Sequence, residues 1–209
     1  MVKKLLLIGG GGHCHSVLDT VLSLNEYEKI GIIDNIDSSY LGVSVIGVDE
    51  DIPKLFNEGW TEAFITVGSV GNTNTRRRLY KMVKEIGLTL PTIIDSTAVV
   101  GKGVAINEGS YIGKRTVINT GSSVGICAII NTGAILEHDC NIGNFAHISP
   151  GTVLCGQVSV GDDSHVGAGS TVRQLIKIGE DSLIGAGSVV IKDIPSNVKA
   201  YGNPCEVVE

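Results

Sequence analysis

Aromatic residues are scarce in this chain: one tryptophan, five tyrosines and three phenylalanines make up 4% of its 209 residues. Glycine is abundant, with 28 residues, and the hydrophobic fraction of 43% is sufficient for a core. A conventional core of large aromatic side chains is therefore excluded for much of the chain. Aliphatic and small side chains must fill it instead, and the length allows two modest domains.

An excess of basic residues is also lacking. Lysine and arginine number 16 against 22 aspartates and glutamates, which gives a formal net charge of −6 and an isoelectric point near 5.3. Nucleic acids and anionic membranes are bound by surfaces with clustered lysine and arginine, so neither is an expected partner. The expected ligand is a small molecule.

Long hydrophobic runs and cysteine pairs are missing as well. The early apolar run LLLI, residues 5–8, is too short for a signal-peptide core or a membrane span, and glycines follow it at once. The five cysteines are odd in number and form no CxxC pair, which favours free thiols in a reducing compartment. We therefore expect a cytoplasmic protein without a disulfide framework.

What is present falls into two halves with different periods. In residues 1–94, strand-like stretches (KKLLLI, KIGIID, EAFITVG) alternate with helix-like stretches (HSVLDTVLSL, DEDIPKLFNEG, TRRRLYKMVKEIG), and LTLPTIID closes the half. This alternation predicts a small parallel sheet covered by helices, that is, a Rossmann-like α/β domain.

Residues 95–209 follow a strict period of six. From Val100 to Val190 the first position of the hexad is aliphatic in all sixteen repeats, and four places later the residue is Ser, Thr, Ala or Cys in twelve of sixteen. This pattern predicts an all-β parallel β-helix, in which three short strands form one coil of eighteen residues. We expect about five coils at a spacing of about 4.8 Å, with the aliphatic residues inward. Glycines such as Gly113 and Gly143 are expected to permit the turns.

The stretch GGGGHCHS, residues 9–16, joins a predicted strand to a predicted helix. Such a loop presents backbone N–H groups and a helix N-terminus to an anion, so it suits a pyrophosphate. Because the G-x-G-x-x-G spacing is incomplete, dinucleotide binding is one alternative, and a structural turn in which His13 only caps the helix is another. A zinc site at His13, Cys14 and His15 is disfavoured, since side chains at successive positions diverge.

Several motifs together resemble one family. The GGxGH loop, the IIDN segment, EHDCNIGNFAHISPG within the hexads and the closing YGNPCEVV are similar to the left-handed β-helix sugar acetyltransferases, which include sialic-acid O-acetyltransferases and UDP-4-amino-sugar N-acetyltransferases. The resemblance covers both halves. It implies a left-handed coil, acetyl-CoA as co-substrate, no metal, and a homotrimer that binds acetyl-CoA between subunits.

The resemblance also assigns site residues. For the nucleotide sugar it implies contacts from the first domain and one hexad residue: Gly10, Gly12, His13, Asp34, Asn35, Gly68, Arg76 and Asn131. For acetyl-CoA it implies contacts from four hexad residues: His147, Gly156, Ala168 and Gly187. Relatives often carry two acidic residues where this chain has Asp34 and Asn35, so the base or ribose contact there stays open.

Transfer of an acetyl group to an amine needs a base that accepts a proton near neutral pH, and histidine is suited to this. The resemblance gives the role of general base to His138, with Asp139 in support, whereas the residues alone favour a solvated turn histidine. His147 and His165 are eighteen residues apart and are expected to stack on adjacent coils. Gly156 follows His138 by eighteen residues and is likewise expected one coil above it. Cys140 is expected to be buried, and Cys155 as an acyl carrier is the alternative to direct transfer.

Residues and resemblance together predict acetyl-CoA-dependent N-acetylation of a nucleotide-linked amino sugar, such as a UDP- or dTDP-4-amino-4,6-dideoxyhexose. O-acetylation of a sialic acid or related sugar is the alternative enzyme activity, and a non-catalytic nucleotide-sugar-binding β-helix is the alternative without chemistry. Outer-face residues are expected to be buried in the trimer: Ile126, Ala128, Ile129 and Phe145.

Overall fold

The computed structural model describes residues 3–208, which form two compact units. The first unit comprises the chain up to Gly68 together with Asn74–Ser96, and the second comprises Ser69–Thr73 and the chain from Thr97 onward. The segment Ser69–Thr73 thus belongs to the second unit, although the residues on both sides of it belong to the first.

The first unit is an α/β domain with the predicted alternation of strands and helices. Its elements are β1 (Lys4–Ile8), α1 (Gly12–Leu24), β2 (Lys29–Ile33), β3 (Ser39–Tyr40), β4 (Val43–Gly47), a 3₁₀ turn (Asp49–Asp51), α2 (Ile52–Asn57), β5 (Glu62–Ile65), α3 (Asn74–Ile86) and β6 (Ile93–Ile94). The strand order is β3-β4-β2-β1-β5, with β1, β2, β4 and β5 parallel. The antiparallel β3–β4 hairpin was not predicted.

The core of this unit lies against β1, which pairs with β2 on one side and β5 on the other. Leu5, Leu6 and Leu7 of β1 are fully buried, and α1 turns Val17 and Val21, one turn apart, onto the same side. Helix α1 ends at Leu24, and Asn25, whose backbone is left-handed, forms the C-cap. The buried face of α1 therefore follows the helical spacing of its apolar residues.

The second unit is a left-handed parallel β-helix. Its strands are β7 (Val99–Val100), β8 (Ala105–Ile106), β9 (Tyr111–Ile112), β10 (Val117–Ile118), β11 (Ser123–Val124), β12 (Ile129–Ile130), β13 (Ile135–Leu136), β14 (Asn141–Ile142), β15 (His147–Ile148), β16 (Val153–Leu154), β17 (Ser159–Val160), β18 (His165–Val166), β19 (Thr171–Val172), β20 (Lys177–Ile178), β21 (Leu183–Ile184), β22 (Val189–Val190), β23 (Lys199–Gly202) and β24 (Cys205–Val207). Each strand from β7 to β19 pairs in parallel with the third strand after it, eighteen residues later, as in Ile129 with His147.

The predicted inward series forms the core of the β-helix. From Ile112 to Val190 every sixth residue is at most 3% exposed. Val100 is 37% exposed because it belongs to the first coil, which no earlier coil covers. Ser110, Thr116 and their small equivalents in later hexads are buried at the corners, as predicted.

Two details of the β-helix differ from expectation. The left-handed turn position lies at residue 103 and every sixth residue to 187, with φ between 50° and 77°, so Gly113 and Gly143 are not the turn residues. They are small because a β-carbon there would meet backbone of the next coil, 3.0 Å from the Thr132 nitrogen in the case of Gly113. The expected outer apolar face is also wrong in part: Ala128 points inward, and Ile129 and Phe145 are 3% and 4% exposed in the single chain.

None of the five cysteines forms a disulfide within residues 3–208, and four of them are buried. Between residues 3 and 208, no helix combines the length and the apolar character needed to cross a membrane.

Candidate functional site

The glycine loop lies at the carboxyl edge of the first unit's sheet, between β1 and α1. A β-carbon at Gly9 would come within 2.6 Å of Val67 Cγ2, and one at Gly10 would lie 3.2 Å from Asp34 Oδ2. A β-carbon at Gly11 or Gly12 would meet nothing within 4 Å. Packing within the chain therefore explains the first two glycines, whereas the last two leave open space in front of the helix.

Helix α1 begins at this open space. Gly11 is the N-cap residue and supplies no side-chain hydrogen bond to the first turn. The N–H groups of a first helical turn lack intrahelical partners and carry the positive end of the helix dipole. The loop and the helix together can therefore receive an anion without a lysine.

Asp34 follows β2 at the same edge and shapes the loop. Its Oδ2 accepts a hydrogen bond of 2.6 Å from the Gly10 N–H, and its Oδ1 accepts one of 2.9 Å from the Ile36 N–H. These backbone bonds, that from Gly10 first, lower the pKa of the Asp34 carboxyl. The carboxylate expected to contact a base or ribose thus also fixes the conformation of the glycine loop, and Asn35 beside it is exposed.

His13 and Arg76 form the inner layer of this site. Burial, and then the positive charge of Arg76, lower the pKa of His13 to about 4, so its imidazole is neutral at pH 7. Arg76 is 2% exposed, although the resemblance implied a ligand contact for it. Gly68 is exposed next to His13, since a β-carbon at Gly68 would lie 3.5 Å from His13 Cβ.

The arginine that faces the edge cleft is Arg78. This cleft is lined by Ile8, Gly9, Ile33, Asp34, Asn35, Asp49, Val67, Thr75, Arg78 and Leu79. Arg78 Nη2 lies 3.1 Å from Asp49 Oδ2, and its side chain is 61% exposed. The run TRRRLY contains three arginines, and only the rotation of α3 decides which one points into the cleft.

The second unit brings His138 and Asp139 together in the turn after β13. His138 Nδ1 and Asp139 Oδ2 are 2.9 Å apart, and the two side chains are 56% and 54% exposed. An N–H at Nδ1 that donates to the carboxylate leaves the Nε2 lone pair free to accept a proton. The pair thus places an oriented imidazole, with a carboxylate behind it, at the surface of the β-helix.

Two glycines on neighbouring coils surround this pair. A β-carbon at Gly156, one coil after His138, would overlap the imidazole at Nε2 and come within 2.6 Å of Cε1. A β-carbon at Gly121, one coil before Asp139, would overlap Oδ1 of the carboxylate. Gly156 is buried beneath the ring. Sequence reasoning had identified Gly156 by its spacing of eighteen but missed Gly121, which the same spacing from Asp139 would have indicated.

A second polar cluster is built around His147 on β15. Its Nδ1–H donates to the Ser69 carbonyl at 3.1 Å, and its Nε2 accepts from the Asn131 amide at 3.2 Å. The His165 ring lies 4.8 Å away in an edge-to-face arrangement, which confirms the predicted stacking on adjacent coils. Burial lowers the pKa of His165, whose Nε2 pairs with Ser149 Oγ at 3.1 Å.

Ser69 was missed by sequence reasoning because nothing in its local sequence indicates a contact 78 residues away. The segment Ser69–Thr73 is held at its other end by a short hydrogen bond from Thr73 Oγ1 to Asp163. His147 and Asn131 therefore form one group with this segment, while His138, Asp139 and Gly156 form another.

The remaining expected positions are at the corners of later coils. Ala168 and Gly187 are exposed, and the Gly187 N–H donates to the Ala168 carbonyl at 2.8 Å. Cys140 is buried as predicted, and burial raises the pKa of its thiol to about 11, so it is not a nucleophile at neutral pH. Among residues 3–208, no three histidine, cysteine, aspartate or glutamate side chains are grouped so as to hold a metal ion.

Known families match both units. Residues 4–83 match the PglD N-terminal domain, and residues 139–174 match the bacterial transferase hexapeptide family (six repeats). Comparison with curated protein sequences found no significant match.

Solved structures match the chain over its full length. PerB from Caulobacter crescentus, in complex with CoA and GDP-perosamine, is 34% identical with a TM-score of 0.94, and the alignment covers 100% of this chain and 99% of PerB. The acetyltransferase domain of PglB from Neisseria gonorrhoeae FA1090, in complex with acetyl coenzyme A, is 32% identical with a TM-score of 0.93 and 100% coverage of both chains. WeeI from Acinetobacter baumannii AYE shares the fold at 21% identity, with a TM-score of 0.88 and coverage of 99% and 100%.

Proposed function

The chain belongs to the hexapeptide-repeat family of nucleotide-sugar acyltransferases, and from this premise we propose that it acetylates the amino group of a nucleotide-linked amino sugar. The protein is an acetyl-CoA-dependent sugar N-acetyltransferase, and acetyl-CoA is its co-substrate. The observation that carries this conclusion is the full-length similarity to PerB, whose complex contains both CoA and GDP-perosamine.

The proposed chemistry is direct transfer with His138 as general base. The amine nitrogen of the sugar attacks the thioester carbon, the C–N bond forms, and the C–S bond then breaks to release the CoA thiolate. The proton lost by the nitrogen goes to His138 Nε2 and from there to the thiolate. Asp139 supports this role because it accepts the Nδ1–H and stabilises the imidazolium that forms.

We assign stabilisation of the developing oxyanion to the backbone N–H of Gly156, the residue that lies beneath the imidazole. His147, Ala168 and Gly187 are the proposed further contacts for acetyl-CoA. Ala168 and Gly187 are supported by their exposed positions at the corners of neighbouring coils. None of the hydrogen bonds described within residues 3–208 pairs the Cys155 thiol with a base. Because an acyl-cysteine intermediate needs an activated thiol, this favours direct transfer.

We place the nucleotide of the acceptor on the first unit. The open space in front of Gly11 and Gly12 and the uncapped first turn of α1 support pyrophosphate binding there. Asp34 and Asn35 line the cleft, and Gly10 donates its N–H to Asp34. Gly68 lies next to His13, and Arg78 offers the exposed cation that the buried Arg76 does not. Asn131 is the proposed sugar contact from the β-helix.

Assembly and compartment complete the proposal. We propose a homotrimer on the family resemblance, with acetyl-CoA between subunits. Of the four apolar residues first expected at the interface, Ala128, Ile129 and Phe145 are buried within the single chain. A cytoplasmic location is supported by five free thiols, which persist in a reducing compartment.

The experiment measures CoA thiol release from acetyl-CoA with GDP-, UDP- and dTDP-linked 4-amino sugars, each beside the matching 4-hydroxy sugar, and with free sialic acid. We expect release only with amino sugars, and a product heavier by one acetyl group in mass spectrometry. Release with sialic acid alone would instead make the protein an O-acetyltransferase. Nucleotide-sugar binding by calorimetry without thiol release from any acceptor would make it a binding protein.

A further inference from the structure

The two oxygens of the Asp139 carboxylate have different neighbours. Oδ2 lies 2.9 Å from His138 Nδ1. Oδ1 occupies the space next to the α-carbon of Gly121 on the preceding coil, where a β-carbon would overlap it and lie 3.2 Å from Cγ. The orientation of the carboxylate toward the imidazole thus depends on the missing side chain at residue 121.

Backbone conformation alone does not require glycine at this position. Gly121 has φ of +76°, but the equivalent turn position carries a side chain in eight of the fifteen hexads from residue 103 to 187, including Asp139 itself at φ of 59°. The corner at Gly121 and the corner at Gly103 have the same backbone conformation and differ only in their surroundings. Gly103, one coil earlier in the same column, has φ of +77° and nothing within 4 Å of a β-carbon.

We propose that Gly121 is a positioning residue for the base: its missing side chain provides the space in which Asp139 can turn its carboxylate to His138 Nδ1. This inference rests on the proposed function, in which the imidazole of His138 must be oriented to act as the general base. A methyl group at residue 121 would displace Oδ1, which is the end of a flexible side chain, so the carboxylate would swing away while the coil keeps its backbone. His138 would then lose the acceptor that fixes its tautomer and ring orientation.

The first test is kinetic. We expect Gly121→Ala to lower kcat about 3- to 10-fold, the size of one exposed hydrogen bond, with KM for both substrates unchanged. Gly103→Ala is the matched control, since it imposes the same left-handed alanine without a contact, and it should leave kcat unchanged. In the Asp139→Ala background the displaced oxygen is absent, so Gly121→Ala should cost nothing further. Additive losses in the double variant would show that Gly121 acts on stability or elsewhere and would overturn the proposal.

The second test does not depend on activity. Nitrogen-15 NMR of histidine-labelled protein reports the tautomer of each of the five imidazoles, and the His138 signal is identified by its absence in His138→Gln. We expect the Nδ1–H tautomer in the wild type and in Gly103→Ala, and a shift toward Nε2–H in both Gly121→Ala and Asp139→Ala. Gly121→Asn also places a β-carbon next to the Asp139 carboxylate, and asparagine tolerates the left-handed region. It replaces Gly121→Ala in the experiment if the alanine variant does not fold.

The two tests separate the two proposals. If the wild type has no transferase activity but Gly121→Ala shows the expected tautomer shift, the proposed function is contradicted and the positioning role of Gly121 is supported. If the wild type is active and Gly121→Ala has the same kcat and the same His138 tautomer as the wild type, only the positioning role is contradicted.

Discussion

The imidazole of His138 lies against Gly156, one coil further along the β-helix, where a β-carbon would stand 2.6 Å from Cε1 and 3.1 Å from Cδ2. Alanine occupies the equivalent hexad position at Ala168 and Ala186, so the backbone there accepts a side chain. Glycine at residue 156 is therefore explained by the ring that covers it.

Gly156→Ala should displace the imidazole and lower kcat about 10²-fold, because a shift of roughly 1 Å in a catalytic group can have that effect. Steady-state thiol-release kinetics measure the loss. Gln174→Ala, which places alanine in the same column one coil later, is the matched control and should keep wild-type kcat. Equal activity of the two variants would show that the ring does not need its observed position.

His138→Ala should lower the rate by about 10²- to 10⁴-fold, the usual contribution of a general base. Because the side chain is 56% exposed, its removal should leave the melting temperature and the acetyl-CoA affinity nearly unchanged, as measured by calorimetry. A variant within threefold of the wild-type rate would remove His138 from the mechanism.

His13 should make the protein sensitive to mild acid. Its pKa is about 4 in the folded chain, owing to burial and then to Arg76, against about 6.5 when unfolded. Below pH 6.5, His13 binds a proton in the unfolded chain but not in the folded chain. The free energy of unfolding therefore decreases as the pH falls from 6.5 to 4. The slope from this group is at most about 1.4 kcal/mol per pH unit.

Urea unfolding at pH 7, 6 and 5 measures this dependence. His13→Gln should flatten the fall in the free energy of unfolding between pH 6.5 and 4, whereas His15→Gln, two residues along the same helix, should retain it. An unchanged slope in His13→Gln would mean that His13 is not the residue responsible.

Subunit mixing tests the shared site. Because Gly156 lies beneath His138 of its own chain, the second variant must lie elsewhere, and the exposed Ala168 is suitable. His138→Ala and Ala168→Trp chains, each inactive alone, should regain activity after joint unfolding and refolding if acetyl-CoA lies between subunits. Sedimentation should show three chains per particle. A monomer, or mixed particles as inactive as their parents, would place the whole site within one chain.

The period of six is enough to predict most of the β-helix. Each inward aliphatic and each corner residue is fixed by local spacing, and stacking repeats the same environment every eighteen residues. The same arithmetic placed His165 over His147 and Gly156 over His138. In the first unit, helical and strand periods identified β1, α1, β2, β5 and α3, because each buries one face of its own.

Only the tertiary structure decided which polar atoms meet. Arg76 and Arg78 are indistinguishable in the run TRRRLY, and the packing of α3 buries one and leaves the other at the cleft. The contact of His147 with Ser69 joins segments 78 residues apart, and no local period encodes such a pair. The sequence by itself determined the coil and its core, because aliphatic side chains are buried at a regular interval along the chain. The hydrogen bonds of the site depend on side-chain directions that are defined only after the coils have stacked.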